Sequence, residues 1–198
     1  GRSGLALGRR AALAGLHDRW LDLRELSRAR RLRRRALPVP DRPRRVLALS
    51  IEQAGAPSLL DAARAELRRS RHDVDVVSAP AGTAGKFQNL NALLAGRDLP
   101  QYDWVIVLDD DITLPRGFLD AFLCAAESAG LALAQPAHRR RSHAAWDVTR
   151  RQPGATTRIT SFVEIGPLTA FSREAAAARA QNRELSVAPP ITWEQFFE

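Results

Sequence analysis

Three consecutive carboxylates, Asp109-Asp110-Asp111, follow directly on the apolar run Trp104-Val105-Ile106-Val107-Leu108. Adjacent carboxylates repel one another, and a divalent cation relieves that repulsion. Mg2+ and Mn2+ are hard ions that take oxygen ligands, and Mg2+ commonly uses one or two carboxylates and fills its shell with phosphates and water. In extended chain Asp109 and Asp111 point the same way and Asp110 points elsewhere. The plain alternative is a solvated acidic loop, or a cap on the helix starting near Pro115. Lys86 is the second feature, because it is the single lysine in a chain whose other basic residues are arginines. A lysine beside a helix N-terminus suits an anionic diphosphate; a solvated surface lysine is the alternative. Glu164, in the apolar stretch Phe162-Val163-Glu164-Ile165, is placed to serve as a general base if it is buried, and to form an ion pair if it is on a solvated strand face. The basic run His138-Arg139-Arg140-Arg141-Ser142-His143 can grip phosphates or sit in water as a loop. Its two histidines have no cysteine or close carboxylate to complete a zinc site. Trp146 can stack on a sugar or pack in a core.

The elements that must position these groups alternate. Val46–Leu49, Val74–Val77 and Trp104–Leu108 read as short buried strands, and residues 57–70, 85–95 and 115–128 as helices, the first opened by Pro57. Leu131–Ala134, Arg158–Val163 and Pro167–Phe171 read as later strands, and 173–183 as an Ala-rich helix. Strand–helix alternation predicts an α/β domain with a mostly parallel, Rossmann-like sheet flanked by helices. Ligands of such sheets bind at the carboxyl ends of the strands, here after Leu49, Val77 and Leu108.

The chain of 198 residues is 45% hydrophobic and 26% charged, a globular profile with enough length for one core. No apolar run approaches the roughly 18 residues of a membrane span. Its one cysteine, Cys124, excludes an intrachain disulfide framework and a cysteine-rich zinc site. The net charge of +8 suggests nucleic acid at first sight. Residues 1–45 hold 14 arginines and four acids, and residues 46–198 hold 16 basic and 18 acidic residues, so the arm is basic and the body mildly acidic. Nucleic acid is therefore not the expected partner. Residues 8–35 read as a helix with an apolar stripe of Leu13, Leu16, Trp20 and Leu23 and an arginine-rich end, followed by the Pro38, Pro40 and Pro43 linker. Such a helix lies on an anionic membrane or docks on the domain or a partner. The expected division is a basic arm over 1–44 and a domain over 45–198.

The segment Gly85-Lys86-Phe87-Gln88-Asn89-Leu90-Asn91-Ala92-Leu93-Leu94, followed by Tyr102-Asp103-Trp104-Val105-Ile106-Val107-Leu108-Asp109-Asp110-Asp111, resembles the G-K-x-x-x-L-N-x-x-L helix and D-x-D strand of GT-A glycosyltransferases, above all the large family 2 type. Gln135-Pro136-Ala137, Thr149-x-Arg151, Val163-Glu164 and Phe171-Ser172-Arg173 are similar, in this order, to a poorly characterised GT-A-like family of plants and bacteria. The likeness covers about residues 45–178. A local likeness to haloacid-dehalogenase-type phosphatases, through the D-x-D-x-T of Asp109, Asp111 and Thr113, lacks that family's downstream lysine and acidic pair.

The GT-A resemblance implies transfer of a sugar from a UDP- or GDP-sugar to a glycan, lipid or small-molecule acceptor. It implies Mn2+ or Mg2+ held by Asp109 and Asp111, with Asp109 also reaching the ribose. Lys86 and Asp110 belong with the donor set, Ser50 and Glu52 border the nucleoside, and Asn89 and Asn91 donate to base or phosphate, or cap and pack. Glu164 stands as the base. The E-D pair or G-W-G-x-D run usual further on is absent, so the expectation is a domain incomplete at its C-terminus. Its alternative is a non-catalytic GT-A domain that binds a nucleotide or a protein. The location that goes with this reading is cytoplasmic, with membrane association through the arm.

Overall fold

The computed structural model describes residues 9–36, 42–53, 55, 58–83, 85–142, 144, 146–160 and 167–176. Their elements are α1 (Arg9–Ala36), β1 (Arg45–Glu52), α2 (Leu60–Leu67), β2 (Asp73–Pro80), α3 (Lys86–Leu94), β3 (Trp104–Asp109), α4 (Phe118–Ser128), β4 (Leu133–Ala134) and β5 (Leu168–Ser172). The five strands form one sheet in the order β2-β1-β3-β5-β4. β1 pairs parallel with β2 and with β3, while β5 runs antiparallel to both β3 and β4. Four strands thus share a direction and β5 alone is reversed, which makes the sheet mixed. The expected strand over 158–163 is not present in its described part, residues 158–160.

β1 and β3 are apolar along their length because both of their faces are covered. Val46 and Ala48 of β1 with Trp104, Ile106 and Leu108 of β3 face Leu60, Ala63 and Leu67 of α2 and Leu119, Leu123 and Ala126 of α4. Leu47, Leu49 and Ile51 with Val105 and Val107 face Leu90 of α3, on the other side. The strand period of two therefore assigns each residue beyond the core to one side in advance. The chain leaves β1 for β2 on one flank and returns for β3 on the other, so the sheet has its topological switch point between the carboxyl ends of β1 and β3, the place where open α/β sheets take ligands.

α1 packs along α4. Its buried side is Asp18, Leu21, Asp22 and Glu25, and not the apolar stripe that periodicity marks: Leu21 is fully buried and Asp18 nearly so. The acids hold the 139–154 segment. Asp18 accepts the backbone N–H groups of Arg140 and Arg141, both at 3.0 Å. Asp22 pairs with Arg139 at 3.1 Å and with Arg151 at 2.7 Å, and Glu25 takes Arg151 at 3.0 Å and the Gly154 N–H at 3.0 Å. Periodicity alone cannot see this, because the attraction depends on arginines far along the chain.

Candidate functional site at the end of the central strands

Asp109 ends β3 opposite Ile51 of β1. Its side chain follows Val105 and Val107 to the α3 side of the sheet, and there it meets the ammonium of Lys86, the first residue of α3. Both side chains remain about one third exposed. α3 begins where it does because Gly85, extended at φ −64° and ψ 160°, turns the chain into the helix, and the Gln88 side chain accepts the Gly85 N–H at 3.1 Å. Phe87, Leu90, Leu93 and Leu94 then anchor α3 in the core, which fixes Lys86 at the strand ends.

The other two carboxylates part company with Asp109. Asp110 is buried and its Oδ2 accepts the Gln53 N–H at 2.7 Å, while its backbone carbonyl accepts the Leu59 N–H at 2.7 Å. It holds the chain leaving β1 to the chain leaving β3, and so builds the floor of the switch point. Asp111 is exposed in the turn that follows.

The remaining residues marked by sequence are distributed as follows. Ser50 is fully buried on the α2 side, in register with Leu108 and Ser78. Glu52 accepts the Ser78 hydroxyl at 2.5 Å, and Arg64 of α2 donates to the same hydroxyl oxygen at 3.2 Å. Asn89 and Asn91 are both part-buried on α3, but two positions apart on a helix do not face the same way. Asn89 lies towards Gly82, where a Cβ would meet its Oδ1 at 3.5 Å. The structure therefore brings together Lys86, Asp109 and the Asp110 floor, and sets Ser50 on the other side of the sheet from Asp109. Glu164 and His143 lie outside the described residues.

Other marked groups have structural partners. Arg151 of Thr149-x-Arg151 is held by Asp22 and Glu25 of α1, and Arg173 of Phe171-Ser172-Arg173 pairs with Asp103 at 2.7 Å. His138 is buried and Trp146 is half exposed. Asp103, which the sequence reading passed over, precedes β3 and gathers Arg42 at 2.7 Å, Arg173 and the Arg45 N–H at 2.9 Å. Burial pushes its carboxyl up, but the Arg45 hydrogen bond and the Arg42 and Arg173 guanidinium groups outweigh that and hold it below the usual carboxylate range. The signal that could have found it is the pairing of arginine and acid at the amino ends of neighbouring strands, Arg42 and Arg45 at β1 and Asp103 at β3. A hollow of about 220 Å3 lies away from Asp109, between α4 and the 148–160 segment, lined in part by Gln135, Thr157 and Arg158.

Among the described residues no three His, Cys, Asp or Glu side chains form a group able to hold a metal ion. Asp109 and Asp111 are hard oxygen donors, and two carboxylates are a sufficient protein share for a cation that arrives on a diphosphate. No helix among the described residues is long and apolar enough to cross a membrane. No protein-family model, curated protein or solved structure matches the chain. The fold and the site define an α/β protein with a mixed five-stranded sheet and a lysine–aspartate pair at its switch point.

Proposed function

We propose that the chain is a metal-dependent glycosyltransferase domain of the GT-A type, binding a UDP- or GDP-sugar between the ends of β1 and β3. The observation that supports this best is the meeting of Lys86 and Asp109, 23 residues apart in sequence, at the switch point of the sheet. A lysine–carboxylate pair one third exposed contributes only about 0–1 kcal/mol, so exchanging its partner costs little. In the proposed complex the Lys86 ammonium turns from Asp109 to a donor phosphate. Asp109 and Asp111 would hold Mn2+ or Mg2+, which would supply neutralisation of the charge developing on the departing diphosphate. Asp110 keeps the β1 and β3 ends together so that these groups stay aligned. The acceptor hydroxyl needs a base to take its proton, and Glu164 is the residue proposed for it.

Isothermal titration with UDP- and GDP-sugars, with and without Mn2+, tests the reading. Metal-dependent binding of one donor class is expected, lost in Asp111→Ala and weakened in Lys86→Met. Absence of binding by every donor, with or without metal, contradicts it. Binding without transfer to any hydroxyl acceptor and without hydrolysis points to a non-catalytic donor-binding domain.

A further inference from the structure

α1 carries two opposite stripes along its length. The inner one, Asp18, Leu21, Asp22 and Glu25, is docked on the 139–154 segment and α4. The outer one, Leu13, Leu16, Trp20, Leu23 and Leu26, is turned away from the protein, with Leu13 66% and Leu23 68% exposed. Asp18, Asp22 and Glu25 are the only acids of the helix, and all three are engaged on the inner side. The outer side is thereby left apolar and purely cationic: Arg19, Arg24, Arg30, Arg31 and Arg34 are exposed, and the Arg24 guanidinium lies 5.2 Å from the centre of the Trp20 ring.

We propose that this outer face of α1 is a docking surface for an anionic lipid bilayer, with the leucines and Trp20 entering the headgroup boundary and the arginines meeting lipid phosphates. The chemistry is that of an interfacial helix: an apolar stripe, a tryptophan suited to the membrane–water boundary, and flanking arginines that add electrostatic attraction. Charge complementarity selects this occupant. A second copy laid on the same face brings arginines against arginines with no acid between them, whereas an anionic headgroup layer answers every one of them. The shape agrees, since the stripe from Leu13 to Leu26 is a convex line about 20 Å long at 1.5 Å per residue, which lies on a plane and encloses no groove. The inner acids fix the rotation of the helix, so the protein body faces away from the bilayer.

Flotation of the full chain with vesicles of phosphatidylcholine alone, and of equal parts phosphatidylcholine and phosphatidylglycerol, tests this. Binding is expected to the anionic vesicles only, and it should fall at least about tenfold in Leu16→Glu/Leu23→Glu and in Arg31→Glu/Arg34→Glu. The leucine positions are exposed, so the first variant should keep the wild-type circular dichroism and melting temperature. Equal binding to both vesicle types overturns the proposal, as does binding undiminished by the leucine substitutions, which would be adsorption through charge alone. No binding to either vesicle type overturns it in favour of a protein partner. A wild-type dimer in vesicle-free solution that the leucine variant dissociates overturns it in favour of a second copy.

Discussion

The strand β3 has an aspartate at each end, and the two are treated differently. Asp103, before its amino end, is 11% exposed and collects Arg42, Arg173 and the Arg45 N–H. Asp109, at its carboxyl end, is 32% exposed and meets Lys86. One carboxylate has its acceptor sites taken up by two guanidinium groups and a backbone donor, from before β1, from after β5 and from β1 itself. The other is met by a flexible ammonium on a four-carbon stem, which can be exchanged. A carboxylate that holds a fold and a carboxylate proposed to serve a ligand are the same residue type; the difference lies in how completely the protein has answered them.

The largest effect that tests this contrast is loss of the amino-end acid. Asp103→Ala leaves a part-buried backbone N–H and two arginines without their acceptor, so it should destabilise the fold by about 2–3 kcal/mol in urea unfolding. A loss below about 0.5 kcal/mol would erase the distinction between the two ends. Asp110→Ala comes next, at about 1–2 kcal/mol, because it orphans the Gln53 N–H while the backbone bond from Leu59 survives. The contrast also has a pH signature. Asp103 titrates below its unfolded value of about 3.9, so the unfolded chain binds more protons than the folded one in that region. Its stabilisation is present above pH 3.9 and is lost as pH falls through the folded value. Asp103→Asn should flatten that part of the stability–pH curve, and an unchanged acid limb would show that other carboxylates govern it. The smallest effect on stability is expected from Asp109→Asn, within about 0.5 kcal/mol of wild type.

Much of the carboxyl-end site is legible in the chain itself. An apolar strand running into three aspartates marks a strand end, and a glycine before the lone lysine marks a helix start. What cannot be read there is which of the three carboxylates the fold consumes. That depends on the register of β3 against β1, which puts Asp110 under Gln53 and Asp109 beside Lys86. Ser50 illustrates the same limit: its place near a strand end suggests a ligand contact, while the alternation of β1 turns it into the α2-side core. α1 inverts the usual rule, since its leucine stripe is exposed and its acids are turned inward onto arginines some 120 residues further along, with Asp18 buried. Hydrophobic periodicity ranks faces by apolarity and carries no record of distant ion-pair partners. The reversal of β5 is likewise invisible, because a buried apolar strand reads the same in either direction.

In the proposed reading the fold holds Asp109 in reserve for a ligand. The most direct measurement is the melting temperature of wild type and Asp109→Asn, each with and without UDP and Mn2+, repeated with GDP. Wild type should gain about 2.7 kcal/mol at a ligand concentration a hundredfold above Kd, at roughly 2–4 °C per kcal/mol. Asp109→Asn should melt with wild type when unliganded and gain nothing from nucleotide and metal. An unliganded loss as large as that of Asp103→Ala, or an equal rise in both proteins, would contradict the account.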